Sequence, residues 1–275
     1  MVDLLNRLVL SVDSVAAFFA GAFLFFAPHL AGDFFFNRTC DGVHLHLIRC
    51  IGGQILASAV VLFRFRSRSV ETQTTCFVLR MTACILGLLL LFHARSATPT
   101  LIEPLALKAL LYAAAGGLAV YVVAICRAGW AVGDSLHREN RMGNVLYQLD
   151  SIASICIGVA WLSVPQWLLH RQVRVEMDAS HDFCGRIMGA LFCASHIVSS
   201  HALHWKSVAD RSLAIDARAI CCLFILCAQI WSQFAYEEHW GGGHWVGISL
   251  FSTWTVIALL YRAVTWCYMR SHKTK

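Results

Sequence analysis

Charged residues are scarce in this chain of 275 residues. Asp, Glu, Lys and Arg together make up 14% of it, whereas hydrophobic residues make up 58%, and the mean hydropathy is +0.63. Water-soluble domains carry about 25% charged and about 45–50% apolar residues. The composition therefore excludes an ordinary soluble domain and indicates a protein of the lipid bilayer.

Catalytic and cofactor-binding motifs are missing as well. The chain has no nucleotide-binding glycine loop, no H-E-x-x-H motif and no nucleophile elbow. Ser, His and Asp all occur, but in no recognisable catalytic arrangement. We therefore expect a protein that is not an enzyme and needs no cofactor. Its net charge of +6 is explained by membrane topology and attraction to anionic lipid, and does not require nucleic acid.

Eight apolar stretches dominate the sequence. Each approaches the length of about 20 residues that an α-helix needs to cross the hydrocarbon core, and exceeds the roughly 9–11 residues of a barrel strand. The sequence thus predicts an all-α membrane protein with eight transmembrane helices. The stretches are residues 8–27, 44–63, 76–93, 105–126, 145–164, 184–204, 213–231 and 245–264.

Lysine and arginine predict the orientation. An even number of spans places both termini on one side, and that side holds 13 basic residues against 5 on the other. Because positive charge is retained in the cytoplasm, we expect both termini to be cytoplasmic. The larger set is Arg7, Arg64, Arg66, Arg68, Arg127, Arg138, Arg141, Lys206, Arg211, Arg262, Arg270, Lys273 and Lys275; the smaller is Arg38, Arg95, Lys108, Arg171 and Arg174.

Two short signals bear on location. The sequon N-R-T makes Asn37 a candidate glycosylation site on the non-cytoplasmic side. The C-terminal S-H-K-T-K has a lysine at the third-from-last position but is not a full dilysine signal. It favours the endoplasmic reticulum or another endomembrane over the plasma membrane.

Polar residues recur at a fixed spacing in the two halves of the chain. Asp13 aligns with Asp150 (150 − 13 = 137), and one inserted residue later raises the offset to 138. Apolar helices agree readily at Leu or Val, but not at Asp, His, Arg and Pro in one register. The aligned pairs include Pro28 and Pro165, Asp41 and Asp178, His44 and His181, Arg49 and Arg186, Gly52 and Gly189, Ser69 and Ser207, and Arg80 and Arg218.

This spacing predicts a tandem duplication. We expect a first four-helix repeat at 1–126, a cytoplasmic linker at 127–144, a second four-helix repeat at 145–267 and a cytoplasmic tail at 268–275. Because each repeat has an even number of spans, the two should be parallel. A pseudo-two-fold axis along the membrane normal should relate them.

The second helix of each repeat reads D-x-x-H-x4-R-x2-G-x4-A-S, and a proline ends the helix before it. This layout resembles the four-helix membrane modules of the DoxX-like group, over two helices per repeat. That group includes bacterial membrane proteins of poorly defined role and an animal chaperone for receptor assembly. The resemblance implies a fold and allows a role in assembling other membrane proteins.

Two aspartates lie inside apolar spans, and depth selects their partners. Asp13 lies about 7.5 Å into the first span, and Arg80 lies at a similar depth in the third, as do Asp150 and Arg218 in the second repeat. A charge in the bilayer is costly and faces an opposite charge in the bundle. We predict ion pairs Asp13–Arg80 and Asp150–Arg218. A structural role is favoured over a gate or proton relay.

A second polar group lies near the outer ends of the second and sixth spans. Arg49 and Arg186 have no acid at their own depth within their helices, so each is a candidate for binding an anion or lipid headgroup, together with Asp41 and His44 or Asp178 and His181. Snorkelling of the arginines to the interface is the alternative. Candidate neutralisers are Glu103 for Arg49, and Glu237 or Glu238 for Arg186.

Two weaker features complete the candidates. Glu237, Glu238, His239 and His244 carry metal-ligand chemistry in an outer loop, but their spacing matches no ligand motif, so we expect no metal there. Cys40 and Cys184 lie near the oxidising side and form a candidate disulfide.

Two functions fit these features. The first is a transporter or lipid- or anion-binding protein that uses the cleft between the repeats, with the bilayer and anionic lipid as partners. The alternative is a non-catalytic assembly factor, chaperone or scaffold that contacts other membrane proteins. The recurrence of the outer Asp, His and Arg residues favours the first.

The predicted orientation is tested by glycosylation. An acceptor sequon introduced within residues 69–75, in a predicted cytoplasmic loop, should stay unmodified, because the glycosylating enzyme acts on the opposite side. A mobility-shift assay with and without glycosidase reads the result. Glycosylation there would contradict the orientation.

Overall fold

A computed structural model describes residues 4–133, 136 and 141–273, with side chains to residue 267. Residues 134, 135 and 137–140 of the expected linker and residues 274 and 275 of the tail lie outside the described residues. So do Arg138 and Lys275 of the basic set and the side chains of Arg270 and Lys273.

The described chain is all-helical, and eight of its helices are long and apolar enough to cross a membrane. This confirms the predicted class of a multi-pass membrane protein. The eight are α1 (Leu4–Phe26), α3 (Gly42–Phe65), α4 (Val70–Ala97), α5 (Pro104–Arg127), α6 (Arg141–Ser163), α8 (Ala179–Ala202), α9 (Val208–Ala235) and α10 (His244–Lys273). The last continues through most of the expected tail.

Two short helices that the sequence analysis did not predict follow α1 and α6. They are α2 (Pro28–Phe35) and α7 (Pro165–His170). Each has its proline in the first turn, where the missing N–H costs no hydrogen bond. The proline therefore ends one helix and starts the next in a new direction.

The helices of the two halves interleave. The mostly buried helices α3, α8 and α9 form the centre, and the others expose most of their apolar surface. α3 packs far more extensively on α9 than on α4, and α8 more extensively on α4 than on α9. α1 covers α3, α6 covers α8, and α5 and α10 cover α4 and α9. The halves therefore share one core rather than forming two separate bundles.

Backbone hydrogen bonds close both halves at matching positions. The Glu103 N–H donates to the Phe35 carbonyl at 2.9 Å, and the Gly241 N–H donates to the Gln172 carbonyl at 2.6 Å. These residues are spaced by the offsets found in the sequence (172 − 35 = 137; 241 − 103 = 138). The two connections, one after α2 and one after α7, thus meet the loops before α5 and α10 in the same register.

Glycine permits close crossing of α1 over α3 and of α6 over α8. A Cβ on Gly52 would lie 2.6 Å from the Phe25 backbone nitrogen, and a Cβ on Gly189 would lie 2.7 Å from the Gly158 carbonyl oxygen. Gly52 and Gly189 therefore serve helix packing, where small residues let backbones approach.

Substitution by alanine tests these crossings. Gly52→Ala and Gly189→Ala should each destabilise the protein by about 1–3 kcal/mol, because backbone atoms must move apart. Gly87→Ala is the matched control, since nothing lies within 4 Å of its added Cβ. Melting in detergent measures all three. Equal melting temperatures for the three variants would contradict the crossing geometry.

Candidate functional site

Asp13 is neutralised inside the bundle by groups from two other helices. Its carboxylate accepts hydrogen bonds from Arg80 Nε at 2.9 Å and Nη2 at 2.5 Å, both on α4. Tyr121 on α5 adds a third hydrogen bond from its hydroxyl at 2.8 Å. The buried charge is therefore paired and hydrogen-bonded, which is the condition for holding it in the bilayer.

Asp150 has a corresponding set of partners. Arg218 Nε on α9 lies 2.7 Å from its Oδ1, although the N–H does not point squarely at the oxygen. Trp254 on α10 donates its indole N–H to Oδ1 at 2.9 Å, and Ser199 on α8 donates to Oδ2. Both members of the ion pair are 8% exposed. Each aspartate thus forms an ion pair with an arginine. Each also accepts a hydrogen bond from an aromatic residue on the last long helix of its half.

The aromatic donors could not be found by comparing the halves. At an offset of 138, the counterpart of Tyr121 is Leu259 and the counterpart of Trp254 is Gly116. The two donors reach their aspartates from different turns of α5 and α10. The available signal was an aromatic residue with a polar tip inside an apolar span, because such groups find a partner when buried.

The two D-x-x-H motifs cap α3 and α8. Asp41 Oδ1 accepts hydrogen bonds from the backbone N–H groups of Val43 and His44 at 2.9 and 3.0 Å. His44 Nδ1 lies 3.3 Å from the Asp41 backbone nitrogen, which completes a capping box. Asp178 and His181 form the same box at the start of α8.

The two caps also bind each other. The imidazole rings of His44 and His181 are in contact, with centroids 3.5 Å apart and planes tilted by 32°. His181 Nε2 lies 3.1 Å from Asp41 Oδ2, and His44 Nε2 lies 2.5 Å from Ser180 Oγ and 3.6 Å from Asp178 Oδ1. Every ring nitrogen has a polar partner. The motifs therefore link the start of α3 to the start of α8.

Both capping carboxylates are held in the charged form. Burial raises the pKa of Asp41, but hydrogen bonds from His181 and His44 outweigh it and lower this pKa well below the usual range. Burial is likewise outweighed at Asp178, where hydrogen bonds from Ser180 and His181 lower the pKa to about 2. A lowered pKa stabilises the fold above the ordinary value of about 4, and that stabilisation is lost as pH falls toward 2.

Asp41, His44 and His181 also form a candidate metal-ligand group. One ligand atom from each lies within 4.8 Å of the others, and imidazole with carboxylate suits a transition metal. Helix capping and mutual hydrogen bonding already account for each of these side chains. We therefore interpret the group as a capping network.

Arg186 has an acid within its own helix, which corrects the sequence-based interpretation. Its Nε donates to Asp182 Oδ2 at 2.7 Å, and its Nη1 donates to the Leu162 carbonyl of α6 at 2.7 Å. Asp182 lies four positions before Arg186 and therefore on the same helical face. Arg186 thus joins α8 to α6, and neither Glu237 nor Glu238 is needed to neutralise it.

Arg49 differs from Arg186. The residue at the place of Asp182 is Leu45 (182 − 137 = 45). Arg49 Nη1 is buried and has no hydrogen-bond partner among the residues that the structure describes. Its guanidinium carbon lies 5.5 Å from the centre of the Trp231 ring on α9. This nitrogen therefore lacks the protein acceptors that the guanidinium of Arg186 has.

Of the other acids and histidines at this end, Glu238 and His239 approach each other, with Oε1 and Nε2 3.7 Å apart, while Glu103 and His244 have separate partners. Glu103 accepts a backbone N–H at the start of α5 at 2.8 Å and caps that helix instead of pairing with Arg49. His239 accepts a backbone N–H from the start of α3 at 3.1 Å, and His244 contacts a glutamine of α9 at 2.8 Å. Glu237 and Glu238 are exposed.

Cys40 and Cys184 are both free thiols, so the predicted disulfide is not formed in this structure. Burial, together with Asp33 and Asp41, raises the pKa of the Cys40 thiol to about 11. Because the thiolate is the reactive form, this environment disfavours disulfide formation. Asn37 is exposed, and its side-chain nitrogen donates to the Thr100 carbonyl at 3.1 Å.

These features define a multi-pass helical membrane protein with paired charges inside the bundle and, at its α2 and α7 end, a buried arginine nitrogen that has no partner in the part of the chain that the structure describes. A family model described as "Domain of unknown function (DUF8292)" matches residues 11–263, so the chain belongs to that family. No curated protein and no solved structure matches the chain.

A double-mutant cycle tests the buried pair. Asp13→Asn or Arg80→Gln alone should destabilise the protein by about 3–5 kcal/mol, because each strands the opposite charge. The double variant should recover much of that loss. Melting temperatures in detergent measure the cycle, and the cycle of Asp150→Asn with Arg218→Gln should behave alike. Purely additive losses would show that the paired side chains do not interact.

Proposed function

We propose that this protein binds an anionic membrane lipid between α3 and α9, with Arg49 contacting the headgroup. The buried Arg49 Nη1 without a partner carries the proposal. A buried donor left unpaired is costly, and a phosphate or carboxylate oxygen accepts from a guanidinium with a strong, charge-assisted hydrogen bond.

The surroundings of Arg49 suit a lipid. Arg49 is seven residues after the start of α3, or about 10 Å along the helix, within snorkelling reach of the interface. Trp231 lies beside it and is 59% exposed. An open groove on α9 continues from Trp231 along Cys227, Ile230, Phe234 and Ala235. The groove is apolar and suits an acyl chain beside a headgroup held by Arg49.

The contact between α3 and α9 joins the two halves of the chain. We also propose that these halves arose by duplication of a four-helix unit and are related by a pseudo-two-fold axis along the membrane normal. The matched loop hydrogen bonds, capping boxes and buried ion pairs support this. Binding at Arg49 would then be a specialisation of one half, because Arg186 has Asp182 and Arg49 has Leu45.

The proposed placement in the cell follows from the sequence. Both termini are assigned to the cytoplasm by the lysine and arginine asymmetry, in an endomembrane. The α2 and α7 end, with Arg49, then faces the opposite side. Headgroups of that leaflet are therefore the ones within reach of Arg49.

Matched arginine variants test the binding proposal. Arg49→Gln should lower the amount of co-purified anionic lipid about tenfold, because one charge-assisted contact is lost, while melting without lipid stays unchanged. Arg186→Gln is the control: it should lower stability, since it strands Asp182, but leave the lipid content unchanged. Native mass spectrometry quantifies the bound lipid.

Two outcomes would contradict the proposal. Equal lipid content in Arg49→Gln and the unaltered protein would exclude Arg49 as the headgroup contact. A loss of folding in Arg49→Gln, in detergent without added lipid, would instead show that Arg49 is structural.

A further inference from the structure

A cavity of about 420 Å³ lies at the α2 and α7 end of the bundle, apart from the Arg49 groove. α6 and α10 form two of its walls, and α3, α8 and α9 close it on the inside. α6 packs mainly on α8 and α10 mainly on α9, so the space lies between two helices that are each held by a different neighbour. Its volume falls within the range of about 300–1,000 Å³ typical of small-molecule sites.

Two residues of the cavity wall each carry a fully buried polar atom that has no partner among the described residues. The two atoms are the Oε1 atom of Gln229 and the indole Nε1 of Trp240. Gln229 is 6% exposed and Trp240 is 2% exposed. Gln229 Oε1 is an acceptor and the Trp240 N–H is a donor only. A ligand that satisfies both must donate one hydrogen bond and accept another.

Neighbouring side chains hold Trp240 in place. Its ring stacks on His244 with centroids 3.9 Å apart and meets the edge of His46 at 5.0 Å. His244 is fixed in turn by Gln233 Oε1 at 2.8 Å. The indole ring is therefore held in one orientation by packed rings, as a recognition site requires of its side chains.

The other half of the chain gives an internal comparison. The residues 138 positions before Gln229, Trp240 and His244 are Leu91, Ile102 and Ala106 (229 − 138 = 91; 240 − 138 = 102; 244 − 138 = 106). All three are buried in the apolar core. The corresponding place in the first half is thus filled with apolar side chains, so the fold itself does not need polar groups there.

Water alone is a poor occupant. A cavity of this volume has room for on the order of a dozen water molecules, and each ordered water needs two to four polar partners. Most of the wall is apolar, with residues such as Leu168, Met188, Ile225 and Leu250. The apolar walls therefore favour a ligand with an apolar body, and the two unpartnered atoms favour a ligand that also carries a small polar group.

We propose that this cavity binds a lipid alcohol, with its hydroxyl between Gln229 and Trp240 and its apolar body between α6 and α10. A hydroxyl is the smallest uncharged group that both donates and accepts a hydrogen bond. The site is separate from Arg49, which does not line the cavity, and does not depend on anionic lipid binding there.

Binding of two radiolabelled alcohols to the full-length protein tests the proposal. At least one of cholesterol and farnesol should bind saturably, with one molecule per chain. The methyl ether of the binding alcohol, which lacks the O–H donor, should compete about tenfold more weakly, as expected for one lost hydrogen bond in a buried site. Arg49→Gln should bind the alcohol normally.

Variants identify the site. Trp240→Phe and Gln229→Leu should each weaken binding about tenfold, because one hydrogen bond is lost in each. Trp245→Phe is the matched control, since this exposed tryptophan does not line the cavity. Ala160→Phe adds an aromatic ring to the α6 wall of the cavity and should abolish binding. Melting curves verify that each variant is folded.

Several results would overturn the proposal. Saturable binding of neither alcohol would do so, as would unchanged binding in Trp240→Phe, Gln229→Leu and Ala160→Phe. Stronger binding of oleate than of either alcohol would show that a carboxylate, held at Arg171 on the cavity rim, is the ligand class instead.

Discussion

A charge inside the bilayer must meet its counter-charge within the protein, and this requirement organises the bundle. Asp13 ties α1 to Arg80 on α4, and Asp150 ties α6 to Arg218 on α9. Because no water competes in the hydrocarbon core, these pairs fix which helices are neighbours and at what depth. The aromatic donors Tyr121 and Trp254 extend each pair to α5 and α10. Three long helices of each half are thereby positioned by polar contacts that hydrophobic packing alone would not specify.

The second constraint joins the halves. Each D-x-x-H motif caps its own helix and also contacts its counterpart, so α3 and α8 begin at one shared polar network. From that point α3 packs on α9 and α8 packs on α4. A bundle built this way cannot separate into two four-helix units without exposing its core. If the halves arose by duplication, as we propose, each copy could change only where its buried polar groups kept their hydrogen-bond partners.

Much of this arrangement could be predicted because burial of charge is so costly. The eight spans follow from length and hydropathy, and depth alone pointed to Asp13 with Arg80 and Asp150 with Arg218. The packing of α3 on α9 and of α8 on α4 could not be predicted. These central helices are apolar on most faces, so their sequences do not show which face contacts which neighbour. The pairing of Asp182 with Arg186 could not be found from residues shared by the two halves. The counterpart of Asp182 in the first half is Leu45. The cavity was also out of reach, because Gln229 and Trp240 are distant in sequence from His46.

The positions where the halves differ are the ones where function is proposed. Paired charges recur, whereas the buried Nη1 group of Arg49 has no partner among the described residues. An experimental density map of the protein in nanodiscs containing phosphatidylglycerol tests this directly. The account predicts headgroup phosphate density within hydrogen-bonding distance of Arg49 Nη1 and none at Arg186. A protein carboxylate or carbonyl in contact with Arg49 Nη1, with no lipid beside it, would contradict the account.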